Sequence, residues 1–127
     1  MKKTILDVGQ CGFDGPRLEK LLSRGLHCEV VNSDTIEDAL EKMKSKDYDL
    51  CLVNRELAFE GTSGLDLIAA AKKAGVATPL MLVSDRKDAQ QKAEALGALP
   101  GFGKSSLGDP DMIETLRKAV ESAAEKD

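Results

Sequence analysis

Five short apolar runs, each followed by a segment with helical spacing, constrain this chain more than any other feature. The runs are Thr4-Ile5-Leu6-Asp7-Val8, Cys28-Glu29-Val30-Val31, Asp49-Leu50-Cys51-Leu52-Val53, Pro79-Leu80-Met81-Leu82-Val83-Ser84, and Leu99 to Gly103. They are too short for buried helices, and most are nearly continuous in apolar residues, as strands covered on both faces are. The fifth is diluted by Pro100, Gly101 and Gly103, which places it at a sheet edge, where a missing N–H is tolerated. Strand–helix alternation of this kind demands a mainly parallel sheet with helices on both faces.

The helical segments carry their own stop and start signals. Residues 16–24 place Leu18, Leu21 and Leu22 at helical spacing, with Asp14 expected as N-cap and Gly25 as terminator. Asp34-Thr35-Ile36-Glu37 has the form of an acidic capping box, ahead of a stripe of Ile36, Leu40 and Met43. Ser63 is the expected cap of a helix that turns Leu65, Leu67, Ile68 and Ala71 inward and stops at Gly75. Residues 86–96 form a charged, alanine-containing helix closed by Gly97. Asp109 caps the last helix, with Pro110 in its first turn and Met112, Ile113, Leu116, Val120 and Ala123 inward. Residues 124–127 are expected to fray.

A length of 127 residues suits a single domain spanning 1–127. With 42% hydrophobic and 31% charged residues, the chain has the material for a sizeable core. A net charge of −4 argues against nucleic acid as a direct partner. No stretch approaches the ~20 apolar residues of a membrane span, and Asp7 and Gly9 interrupt any signal-peptide core, so a cytoplasmic location is expected. Three unpaired cysteines, Cys11, Cys28 and Cys51, do not make a disulfide framework or a zinc site. Cys28 and Cys51 read as small core residues, while Cys11, in a loop, is the candidate reactive thiol. His27 is the single histidine, which excludes histidine triads and clusters.

Open α/β sheets carry their chemistry at the carboxyl ends of the strands. The residue that ends the third apolar run is Asn54, an amide where an aspartate would be reactive. Three segments, Tyr48 to Asn54, Thr78 to Ser84 and Gly97 to Lys104, have an order and spacing that resemble the receiver domain of bacterial response regulators, over essentially the whole chain. The resemblance implies a flavodoxin-like (CheY-like) three-layer sandwich: a five-stranded parallel sheet in the order 2-1-3-4-5 with five helices.

Carried over residue by residue, the resemblance is incomplete. Ser84 and Lys104 match the family's hydroxyl and lysine of the phosphate pocket. Asn54 stands on the phosphoacceptor aspartate, and Gly9 and Gln10 stand on the acidic pair that holds magnesium. Gly101 occupies the place of the aromatic switch residue, Ser105 that of a proline after the lysine, and Ala58 that of a loop proline. The loop between Asn54 and Gly64 is about two residues longer than the family's.

Phosphoryl transfer to a receiver needs a carboxylate nucleophile and a hard cation on oxygen ligands. Replacing all three acids removes both, so no phosphorylation at Asn54, no Mg²⁺ and no other cofactor is expected, and no catalytic residue is assigned. Asp7, on the strand face of Gly9 but ~6.6 Å deeper, and Glu56, in the following loop, are the acids able to compensate. Asp7 reads first as a strand-interior acid bonded to backbone or to Lys104. Lys104 reads either as a snorkelling strand-end lysine or as the positive centre of a small-anion pocket with Ser84. Lys72-Lys73, Arg86-Lys87 and Arg117-Lys118 read as solvated helix surface.

The function expected is a non-enzymatic, receiver-like signalling domain of the two-component type that works through protein contact without phosphorylation. The resemblance places the partner on the face of the fourth helix, fifth strand and fifth helix, with Lys92, Leu96, Phe102, Arg117 and Glu121, although Phe102 reads as core. The partner is another protein or a second copy of the chain, with no membrane contact. The alternatives are a true receiver phosphorylated on Asp7 or Glu56, a small-anion or ligand sensor, and a flavodoxin-like enzyme with a Ser84/Lys104 dyad.

Overall fold

The alternation becomes β1 (Thr4–Val8), α1 (Asp14–Gly25), β2 (Glu29–Ser33), α2 (Ile36–Ser45), β3 (Leu50–Asn54), β4 (Glu56–Leu57), β5 (Thr62–Ser63), α3 (Gly64–Lys73), β6 (Leu80–Val83), α4 (Lys87–Ala95), β7 (Leu99–Phe102) and α5 (Pro110–Glu125). This computed structural model describes residues 3–9, 14–25, 28–54, 56–57, 62–103 and 109–125. Lys104, Gln10, Cys11, His27, Ala58 and Ser105 lie outside the described residues. So do the side chains of Glu56, Glu121 and Ala123.

One sheet holds five parallel strands in the order β2-β1-β3-β6-β7, which is 2-1-3-4-5 when its strands are counted along the chain. Side chains alternate across a strand, so each buried strand feeds two cores. Leu6, Val8, Cys51, Val53, Leu80 and Leu82 face α2, α3 and α4, where they meet Ala39, Met43, Leu67, Ile68, Ala71, Ala89 and Ala93. Ile5, Leu50, Leu52, Met81, Val83 and Phe102 face α1 and α5, where they meet Leu22, Met112, Leu116, Ala119 and Val120. Each large side chain so buried stabilises the fold by about 1.5–3 kcal/mol before chain entropy is set against it. The result is a helix–sheet–helix sandwich. Among the described residues no helix is long and apolar enough to cross a membrane.

Several local expectations shift. Asp14 is the first residue of α1 and not its cap, so the helix starts two residues earlier than expected. The second strand runs two residues further, through Asn32 and Ser33, because β1 continues to pair with it there. Thr35, not Asp34, caps α2, its hydroxyl accepting from the Asp38 N–H at 3.1 Å. A threonine followed by Asp38 three residues on serves the free N–H groups better than Asp34, which lies one residue too early. Ser63 caps α3 as expected, accepting from the Leu65 N–H at 3.1 Å. α3 and α4 end just before Gly75 and Gly97. α5 begins at Pro110 and continues through Ala124 and Glu125, where fraying was expected. β4 and β5 form a short antiparallel hairpin inside the expected loop after Asn54, because two-residue strands carry no alternation to detect.

Candidate functional site

Strand register brings four residues to one edge of the sheet. Val8 lies opposite Val53, Asn54 opposite Val83, and Val83 opposite Phe102. The residues at these strand ends, Gly9, Asn54, Ser84 and Gly103, therefore stand side by side.

Asn54 closes β3 and is 9% exposed. Its side-chain Nδ2 donates to the backbone carbonyl of Gly9 at 3.1 Å. Only an amide does this, because a carboxylate has no proton to give at neutral pH. Gly9 itself has φ +74°, a left-handed conformation that glycine adopts without a Cβ penalty, and its N–H donates to the Ser33 carbonyl at 2.8 Å. Gly9 thus forms a left-handed turn whose carbonyl accepts from Asn54.

Asp7 sits two residues before Gly9 and is 1% exposed, inside β1 between Asn32 of β2 and Leu52 of β3. It alternates with Leu6 and Val8 and so belongs to the α1–α5 side of the sheet. Burial first, and the Asp7 carboxylate second, push the Cys51 thiol far up, which keeps it protonated and inert. Cys28 is raised as well, by burial and then by Asp49, and both thiols fit their reading as core residues.

Ser84, 7% exposed, is tied in twice. Its N–H donates to the Phe102 carbonyl at 2.9 Å, and its hydroxyl oxygen accepts from the Arg86 N–H at 3.1 Å, in the turn that leads into α4. Lys104, the residue expected beside Ser84, is outside the described residues.

Among the described residues the fit to a hard divalent cation is poor. Such an ion wants several oxygen ligands, including carboxylates. The Asn54 group aimed at Gly9 is a donor, and the Gly9 carbonyl already accepts from it. Among the described residues no group of three or more His, Cys, Asp or Glu side chains is placed to hold a metal ion.

Two residues at this edge were not singled out from the sequence. Asp85 follows Ser84, and its carboxylate lies against Gly103, with Oδ1 1.8 Å from where a Cβ on that glycine would stand. Gln90, half-buried on α4, reaches the backbone of both β6 and β7. A signal for Gln90 was present: Pro100 and Gly101 leave a strand short of a donor and a side chain, and buried backbone groups need partners. On the face expected for a partner, Lys92 is exposed, Leu96 is 39% exposed and Phe102 is 7% exposed within the core. Arg117 is exposed and pairs with Glu114. Met81, Leu99, Pro100, Thr115, Lys118 and Ala119 line a groove of about 320 Å³ beside β7 and α5.

No protein-family model matches the chain, and no curated protein matches it in sequence. Solved structures do match it in fold. NtrX from Brucella abortus superposes with a TM-score of 0.84 at 21% identity, over 99% of this chain and 29% of that one, so the chain spans under a third of NtrX. A putative response regulator from Chloroflexus aurantiacus gives 0.82 at 18% identity, covering 95% of this chain and 99% of that one. A CheY-like response regulator receiver domain protein from Methanospirillum hungatei gives 0.81 at 18% identity, with both chains covered completely, 100% each. The strand order, the two-sided helix packing and these superpositions agree: the chain has the fold of the CheY-like receiver domains of response regulators.

Proposed function

We propose that this chain is a receiver-like signalling domain that works without phosphorylation, by contact with another protein. The observation that carries this reading is the hydrogen bond from Asn54 to the Gly9 carbonyl. It engages the side-chain nitrogen at the position that matches the phosphoacceptor in a structural contact with the Gly9 backbone. An amide is a poor nucleophile, and neither Gly9 nor Gln10 offers a carboxylate to a hard cation. On this reading the domain binds no Mg²⁺ at the sheet mouth and catalyses nothing.

Phosphorylation of Asp7 is disfavoured by its position, since a side chain 1% exposed in mid-strand is out of reach of a phosphodonor. The surface we assign to the partner is that of α4, β7 and α5, where Leu96 stands exposed and the groove beside Leu99 and Pro100 is apolar. The occupant is another protein or a second copy of this chain.

Titration with Mg²⁺ and beryllofluoride, followed by amide NMR, tests the reading. The amides of Gly9, Asn54 and Ser84 should not move, while a protein captured by the intact chain should shift those of Leu96, Leu99 and Lys118. Saturable shifts at the strand ends with Mg²⁺ and beryllofluoride together overturn it. Inorganic phosphate in the same titration decides the small-anion alternative, through Ser84 and Lys104.

A further inference from the structure

β7 is the strand least able to hold itself in place. It has four residues, lies at the sheet edge, and contains Pro100, without an N–H, and Gly101, without a side chain. Its pairing with β6 is irregular: Leu99 lies opposite Met81 and Phe102 opposite Val83, so three steps on β7 answer two on β6. Such a bulge interrupts the ladder and leaves backbone groups to be satisfied by other means.

The side chain of Gln90 lies in that gap. Its Nε2 donates to the carbonyls of Leu82 at 2.9 Å and Ser84 at 3.1 Å, with a longer contact to that of Phe102 at 3.4 Å. Its Oε1 accepts from the Gly101 N–H at 3.3 Å. One amide therefore bonds both strands on both sides of the bulge. The space over Gly101 is filled by backbone and side chain together: a Cβ there would stand 2.1 Å from the Leu82 oxygen and 2.8 Å from Gln90 Oε1.

We propose that Gln90 is a built-in clamp that fixes the register of β7 and holds the α4–β7–α5 face in a single conformation. A short edge strand with glycine and proline specifies its register weakly, and a slip of one residue would turn Phe102 out of the core it now occupies. The clamp is anchored because the neighbours of Gln90 on α4, Ala89 and Ala93, are buried in the core on the other sheet face. α4 and β7 consequently move together or not at all. The clamp also reaches the Ser84 carbonyl, so the strand end of the candidate site belongs to the same rigid unit. This inference concerns conformation and does not depend on which partner, if any, the face receives.

Two measurements test it, the first on the unaltered protein. The side-chain NH₂ of Gln90 should be rigid and slow to exchange, in contrast to that of exposed Gln91. Equal mobility of the two side-chain amides overturns the proposal. The second uses Gln90→Met, which keeps length and helix preference but loses the hydrogen bonds. Amide exchange at Gly101 and Phe102 should accelerate at least ~10-fold relative to β1 and β3, with a second set of β7 resonances. Unchanged β7 protection, or acceleration spread evenly over all five strands, overturns it. If Gln90→Met does not fold, the side-chain exchange of the unaltered protein decides alone.

Discussion

The side-chain amide of Asn54 donates to the backbone carbonyl of Gly9 across 45 positions of sequence, joining the ends of β3 and β1. Substituting Asn54→Asp reverses the sense of this contact, setting a carboxylate oxygen against a carbonyl oxygen in a site that is 9% exposed. The expected cost is about 1–3 kcal/mol at neutral pH, read as a lower urea midpoint. The variant should remain inert to phosphodonors, because it restores the nucleophile without the metal ligands.

Gly101 should tolerate no side chain. Gly101→Ala places a methyl 2.1 Å from the Leu82 oxygen, within backbone that the Gln90 clamp holds rigid. A loss of about 2–4 kcal/mol is expected in chemical denaturation. Full stability in this variant would show that β7 shifts freely enough to accommodate the methyl.

The cap of α2 separates two neighbouring residues. Thr35→Ala should cost about 1 kcal/mol, since the Asp38 N–H loses its acceptor, whereas Asp34→Ala should be close to neutral. Thermal melts of both variants distinguish the observed cap from the one expected from the sequence.

Asp38 supplies a pH dependence. Lys42 at 2.6 Å, and after it the Ser33 hydroxyl at 2.7 Å, hold its carboxyl below the usual carboxylate range. The folded value lies below the unfolded one, so the contribution to stability is complete above the unfolded value of about 3.9 and is lost as pH falls through the folded value. Asp38→Asn should therefore lower the melting temperature slightly at pH 7, with the gap closing as the solution is acidified below pH ~4. A gap independent of pH would place the effect elsewhere.

The sheet was legible because its signal is collective. Five apolar runs between helices leave few arrangements, and Leu50, Cys51, Leu52 and Val53 read as a two-sided buried strand from their composition alone. The identity of Asn54 as the informative strand end was legible for the same reason. What Asn54 does was not, because its acceptor is a backbone carbonyl 45 residues away and carries no side-chain signature. For Gln90 the sequence carries half of the signal: Pro100 and Gly101 mark a strand short of partners, but three of the contacts of Gln90 are to carbonyls, and its choice as the donor depends on a bulge that only strand register reveals. Cap positions slipped by one residue at Thr35 because Asp34 and Thr35 are both good capping types, and the choice between them depends on which N–H groups the helix leaves unbonded.

The most direct measurement is the intact mass of the protein after incubation with acetyl phosphate and Mg²⁺. The expected spectrum shows the unmodified chain alone. A stable adduct of about 80 Da, one phosphoryl group, would contradict the reading and place a working phosphoacceptor on this domain.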